Sequence, residues 1–363
     1  NSDDTFLQPV PVAQATEEGG RVVSRVRRIL EFLARMQARI DAAHRRRSGP
    51  ALAGVVTFAQ LEALVAIDRA RSFTAAAADL GVAESTVHRT ARKFERIVGL
   101  DLFRPAGAGV DLAPVSRELA RLAGLVLKET ELAFADVDGL HGLRHGRLVI
   151  GSLPLIRADL LPSAITELCR RHPESFVNVT ELDYDSLVER LRRGDIDMII
   201  GRLRGHAKQS GLVERSLLKD SLAVIARREH PLGGHARLST DDLRRYPWVV
   251  TRPGTPIRHH FDRLFADTLP DFGMIECSSL SILRSLLVQS DRLALLSRRQ
   301  IKFEEQLGLL AALPMELPQT SRDIGVTMRQ NWSPSPLQAI FLSILNDVAG
   351  READVSSAVS ASL

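Results

Sequence analysis

Residues 72–103, SFTAAAADLGVAESTVHRTARKFERIVGLDLF, decide how this chain is read. Phe73, Ala76, Ala77 and Leu80 recur at helical spacing behind Ser72, whose hydroxyl suits an N-cap. Gly81 ends that helix, because glycine takes the left-handed turn without a Cβ penalty. A second helix opens near Ala83. Val87, Ala91, Phe94, Ile97 and Val98 fall at steps of three or four and form its buried face. Ser85, His88, Arg89, Arg92 and Arg96 fall on the opposite side. The alanines at 75–78 let the second helix approach the first closely. Two short helices joined by a tight turn, with a polar and basic stripe on the second, read as a helix-turn-helix, whose second helix lies in the DNA major groove.

Outward from this stretch, residues 57–68 read as a helix with Phe58, Leu61, Leu64, Val65 and Ile67 on one stripe. Leu102 to Leu112 reads as a short β-hairpin turned by Gly107 and Gly109. A long helix is expected from about Pro114 to Leu143, with a near-continuous apolar face through Leu119, Leu122, Val126 and Leu132. Such a helix without a core of its own usually pairs with a second copy.

The chain changes character at Gly146. RLVIGS, FVNVTEL and DMIIG read as strands alternating with the helical SAITELCRRH and SLVERLRRG, the pattern of βαβ units around a largely parallel sheet. A second set follows: strands LAVIAR, WVV, MIECS and LALLS, with helices at about 255–266 and 280–289. Ile324 to Met328 is a late strand and Leu337 to Val348 a closing helix. Two α/β lobes imply a cleft beyond the carboxyl ends of their strands.

Bulk properties narrow the function. The 363 residues suffice for two or three domains, and a formal charge of +4 permits a DNA partner without demanding one. The two cysteines, Cys169 and Cys277, are far apart, so neither a disulfide framework nor a CxxC metal motif exists, and the cytoplasm is the expected compartment. No apolar run approaches the roughly 18 residues of a membrane span, so no membrane partner is expected. His259 and His260 are adjacent on a helix and do not face one site, so no metal is expected. Asp183, Asp185, Asp195 and Asp197 read as solvated loop acids. No phosphate-binding loop or Ser-His-Asp pattern is visible, and the chain reads as neither an enzyme nor a cofactor carrier.

These parts in this order resemble a LysR-type transcriptional regulator. SFTAAAADLGVAESTVHR followed by FERIVGLDLF carries the resemblance first, then GRLVIGSLP, RRHPESFVNV, LRRGDIDMIIG and PWVVTRPGTP. The resemblance covers roughly residues 57–350. It implies a multidomain fold: an all-α winged helix-turn-helix, a long linker helix, and an α/β two-lobed effector domain similar to periplasmic binding proteins. The expected boundaries are 55–113 for the winged head, 114–145 for a dimerising linker helix and 146–350 for the effector domain. Its first lobe takes about 146–219 and 320–350, its second about 220–319, and a disordered tail is expected over 351–363.

Family recognition helices usually open with Gln-Pro and carry Ser-Arg one turn later. Here Glu84, Ser85, His88 and Arg89 occupy those positions, and only Arg89 matches outright. The resemblance assigns DNA contact to Ser85, Thr86, His88, Arg89, Arg92 and the wing residue Arg104. Pro105, Ala108 and Asp111 stand where family wings are often basic, so modest affinity per head is expected, with dimers or tetramers supplying avidity. The resemblance places three segments in the effector cleft: Ser152, Leu153 and Pro154; Gly201 and Arg202; and Thr251 to Arg258. In the last, Thr255 reads as an N-cap with Pro256 at the first helical position. That helix start suits an anion, with Arg252 or Arg258 as counter-charge.

Residues 1–50 are read as an extension carrying one basic helix, from about residue 20 to Arg47. TEEGGRVVSRVRRIL, from Thr16, fits a family wing-to-linker junction better than APVSRELARLAGLVL, from Ala113. One reading is a regulator with two tandem winged heads, the first truncated here; the other is an unrelated amphipathic helix. The functional expectation is a DNA-binding regulator that responds to a small organic anion and assembles as a homo-oligomer. The rival is a ligand-binding co-regulator with a weakened DNA head.

Overall fold

A computed structural model describes residues 17–44, 51–107, 109–140, 146–153, 160–205, 211–266, 269–270 and 272–360. The chain divides into two compact units, one mainly of residues up to Gly146 and one mainly of residues from Arg147 on.

The first unit opens with α1 (Glu17–His44), followed by α2 (Phe58–Ala70), α3 (Phe73–Leu80) and α4 (Glu84–Val98). Arg45 to Arg47, expected to finish the first helix, lie outside the described residues. The stops and starts follow from local chemistry. Ser72 accepts the Ala75 N–H at 3.3 Å, and Gly81 and Gly99 adopt φ values of 65° to close α3 and α4. The wing is the antiparallel pair β1 (Phe103–Ala106) and β2 (Gly109–Leu112), leading into α5 (Pro114–Leu140). The wing docks on the end of α2, where the Val110 N–H donates to the Arg71 carbonyl at 2.9 Å. A Cβ on Gly109 would come within 2.7 Å of that oxygen, so only glycine permits this approach. Leu61, Leu64, Ile67, Val87, Phe94, Leu102, Leu119 and Leu122 share one buried core. At roughly 1.5–3 kcal/mol per buried large apolar side chain, this core holds the head rigid. The apolar face of α5 was expected to await a second copy. In the structure α1 of the same chain covers it, with Leu33, Met36 and Ile40 in the same core.

The second unit has a five-stranded and a three-stranded sheet. The first lobe contains β3 (Arg147–Ser152), α6 (Leu160–Arg171), β4 (Phe176–Glu181), α7 (Tyr184–Arg193), β5 (Met198–Arg202) and β6 (Leu212–Asp220). The second lobe contains β7 (Leu222–Arg227), α8 (Thr240–Arg244), β8 (Trp248–Val250), α9 (Pro256–Leu264), β9 (Met274–Glu276), α10 (Leu280–Val288), β10 (Ala294–Ser297), α11 (Lys302–Gln306) and β11 (Leu310–Ala312). β12 (Arg322–Arg329) and α12 (Pro336–Ser360) return to the first lobe.

The larger sheet runs β4-β3-β5-β12-β6, parallel through β4, β3 and β5 and antiparallel where β12 joins β5 and β6. α6 and α12 cover one face through Leu161, Leu168, Phe341 and Leu345, and α7 covers the other through Leu187 and Leu191. In the second lobe β7 lies between β10 and β11, antiparallel to both, and β8 pairs β9 in parallel. The alternating pattern thus overstated parallel pairing there. Trp248, packed edge-on against Phe261 and Phe265, anchors the helix α9 that follows the cleft loop. The tail expected to be disordered from residue 351 is helical backbone to Ser360, the end of α12.

Candidate DNA-binding helix and effector cleft

The exposed side of α4 carries Ser85, His88, Arg89, Arg92, Lys93 and Arg96, with Thr86 half-buried and Arg104 exposed on the wing. These positions share one surface because Val87, Ala91, Phe94 and Val98 are buried on the other. Their partners separate them. His88 lies against the Phe73 ring at 4.9 Å between centroids, and Phe73 in turn meets Phe103 edge-on at 5.8 Å. The imidazole thus rests on α3 through Phe73, which itself packs on the wing, while the histidine stays exposed. Glu84, out of keeping with the family pattern, accepts the Thr74 hydroxyl at 2.8 Å, so its carboxylate is turned toward α3.

Arg92, expected to touch DNA, is exposed and also has a partner within its own helix. Its guanidinium donates to Glu95 at 2.7 Å. Glu95 is buried and its other oxygen accepts the N–H groups of Leu102 and Phe103 at 2.8 and 3.1 Å. This carboxylate ties the recognition helix to the first strand of the wing, and Arg92 compensates its charge. Sequence reasoning missed Glu95, although a carboxylate on the apolar side of a helix was a signal that it had a fixed partner. Arg89 and Arg104 have no ion-pair partner among the described residues and remain free for phosphates or base edges. On the wing, Asp111 pairs with Arg117 at 2.9 Å and Arg71 at 3.6 Å. The hydrogen bond from Arg117, helped by the Leu112 N–H, holds the Asp111 carboxyl below its ordinary range.

The second unit contains a cleft of about 450 Å³. Leu153, Arg202, Thr251, Arg252 and Thr255, all expected there, line it together. Arg204, Cys277, Ser278, Ser279, Gln300 and Arg322 line it as well and were not foreseen. Pro154 lies outside the described residues. Ser152 is fully buried and Gly201 is buried, and neither reaches the cavity wall. Gly201 supports it: a Cβ there would lie 2.6 Å from Leu153 Cβ, so its absence lets Leu153 settle over β5. Arg258 does not supply the expected counter-charge. Its guanidinium is held by Asp262 at 2.7 Å and Glu276 at 3.8 Å, and donates to the Thr251 carbonyl at 3.3 Å.

The cleft is strongly cationic. Among the described residues that line it are four arginines and no acidic side chain. Arg322 is neutralised by Asp220, at 2.8 Å, which also accepts the Ser297 hydroxyl at 2.6 Å. Arg204 stacks on Tyr184, 4.3 Å from the ring centre. Arg202 differs. Its Nε is buried and has no hydrogen-bond partner among the described residues. Burial, together with the nearby positive charges of Arg322 and Arg204, pulls its pKa below the ordinary guanidinium range. Desolvation, with the nearby charges of Arg263, Arg322 and Arg202, lowers the pKa of His260. Two helices begin at the cleft. Thr255 caps α9, accepting the Arg258 N–H at 3.3 Å, and Ser279 caps α10, accepting the Ile282 N–H at 3.4 Å. Both present the positive end of a helix dipole. The apolar wall comes from Leu153, Ile257, Leu280, Leu283 and Leu296. Among the described residues no group of His, Cys, Asp or Glu could hold a metal ion, and no helix is long and apolar enough to cross a membrane.

A winged helix-turn-helix, a long helix and a two-lobed α/β domain with a polar cleft define a ligand-responsive DNA-binding protein. Comparison with known proteins gives the family. The profile of the LysR substrate binding domain matches residues 141–350, and that of the bacterial regulatory helix-turn-helix protein, lysR family, matches residues 58–121. The HTH-type transcriptional regulator GalR of Pseudomonas putida is 32% identical over 297 residues, spanning 81% of this chain and 74% of that protein. The HTH-type transcriptional regulator PcaQ of Agrobacterium fabrum is 27% identical, over 81% of this chain and 96% of that one. The fold matches a full-length OxyR variant from Pseudomonas aeruginosa with a TM-score of 0.60 at 20% identity, over 81% of this chain and 94% of that one. It also matches CbnR bound to its target DNA, with a TM-score of 0.55 at 17% identity, over 81% of this chain and all of that one. The chain belongs to the LysR-type transcriptional regulators, DNA-binding proteins that respond to small-molecule effectors and oligomerise, and not to a family of enzymes.

Proposed function

We propose that this regulator senses a small organic anion with an apolar body, bound between Arg202 and the starts of α9 and α10. The observation that carries the reading is Arg202. A cation that is partly desolvated, near two more arginines and without a counter-charge among the described residues is unfavourable unless an anion completes it. Thr251, Arg252 and Thr255 add donors on the opposite wall, and the leucines accept the apolar part of the ligand. Ser152, Gly201 and Arg258 act behind the wall. On the DNA side, Arg89 and Arg104 make the direct contacts, joined by Ser85, Thr86 and the braced His88, while Arg92 chiefly compensates Glu95. The free Arg89 favours a working DNA head over a weakened one. Such a regulator acts where the genome is, in the cytoplasm.

The test is a thermal-shift screen of small acids beside their isosteric amides. Acids are expected to raise the melting temperature while their amides do not. Equal stabilisation by acid and amide would refute the anion.

A further inference from the structure

The apolar seam of α5 is closed from within the chain, and its charges are matched as well as its shape. α1 runs antiparallel to α5. Near its start, Arg25 meets Asp136 at 2.9 Å and Glu129 at 3.0 Å, and Arg28 meets Glu129 at 2.8 Å. Further along, Arg35 and Arg39 lie close enough to Glu118 to help lower its carboxyl pKa, behind its hydrogen bond from Arg121. Arg25, Glu129 and Asp136 have side chains no more than 4% exposed. Buried charges of this kind persist only with their partners in place, since removing either side strands the other. Leu33, Met36 and Ile40 complete the seam within the head's core. The end of α1 is tied down too: Gln37 accepts the Leu52 N–H at 3.0 Å, and the His44 ring sits 2.6 Å from the Val98 carbonyl.

We propose that α1 stands in, within a single chain, for the second linker helix that the α5 pattern calls for. The α5 seam is then an intramolecular helix pair. The inference rests on the first unit alone and stands or falls independently of the effector. It has one structural rival: the same contacts made between copies, by exchange of α1.

Ser24 and Glu131 are exposed and lie on facing stretches of α1 and α5, so cysteines there leave the seam intact. In full-length protein with Cys169→Ser and Cys277→Ser, Ser24→Cys and Glu131→Cys are joined by a flexible bis-maleimide. The doubly substituted chain is expected to give linked α1 and α5 peptides in a species of single-chain mass. Its yield should not change on dilution, as for any intramolecular reaction. In parallel, a chain carrying only Ser24→Cys is co-expressed with a differently tagged chain carrying only Glu131→Cys, and no covalent heterodimer is expected. A heterodimer from the co-expressed pair, or absence of the link in the doubly substituted chain, would overturn the proposal.

Discussion

The molecule holds two kinds of arginine site, and they work by opposite physics. On α4 and the wing, Arg89 and Arg104 are exposed to water and have no ion-pair partner among the described residues. Keeping them charged costs nothing, and each is worth little until a polyanion brings many phosphates at once. In the cleft, Arg202 is partly withdrawn from water, with a buried Nε that no described residue satisfies. A single anion there recovers a large desolvation cost. The first arrangement suits a long, highly charged partner read by multiplicity. The second suits one small molecule read by fit. One chain can therefore answer to both without either ligand competing for the other's site.

Four substitutions sharpen or break this contrast. Glu95→Ala has the largest expected effect. It strands two backbone N–H groups and leaves Arg92 unpaired, so the head should lose about 2–4 kcal/mol in thermal or denaturant unfolding. If stability held while only DNA affinity fell, Arg92 and Glu95 would belong to the contact surface rather than its scaffold. Arg202→Gln should weaken the acid found in the screen about tenfold to a hundredfold, at about 1.5–3 kcal/mol for charged hydrogen bonds. Calorimetric titration reads this, and folding stability should stay level or rise, because an unpaired buried charge has gone. Arg89→Ala should cost about 1–3 kcal/mol of promoter binding in a gel shift, with the melting temperature unmoved. Arg104→Ala is the smallest change. It should lower the slope of log affinity against log salt by about one phosphate's worth while sequence preference persists.

The DNA face was legible in the sequence because its residues are neighbours on one helix. Helical spacing alone sorts Val87, Ala91 and Phe94 from Ser85, His88 and Arg89, and Ser72 and Gly81 mark the boundaries by local chemistry. The cleft was legible only in part. Thr251 to Thr255 announce themselves through a cap followed by proline, and Arg202 through the end of a strand. Arg322 on β12 and Ser279 before α10 come from segments distant from Arg202 and meet it only in the folded domain, which no periodicity encodes, while Arg204 lies two residues past Arg202 beyond the end of β5. Arg258 misled because its charge is cancelled by Asp262 one turn along its own helix and by Glu276 on β9. β6 escaped notice because Glu214, Arg215 and Ser216 interrupt its apolar pattern, and its pairing with β12 supplies what the pattern lacks. The long apolar face of α5 was read as pairing with a second copy, and in this structure α1 of the same chain lies on it. Which helix fills it depends on the buried Arg25, Glu129 and Asp136, far apart in sequence.

The account turns on the two arginine sites being physically different, and salt separates them on one sample. Promoter binding and binding of the acid from the screen are measured on the same protein from low to high salt. Promoter affinity should fall steeply, as several counterions are released. Affinity for the acid should change little, because its site is partly shielded from screening ions. Parallel, equally steep slopes for both ligands would show that the cleft arginines are ordinary solvated charges, and would contradict the account.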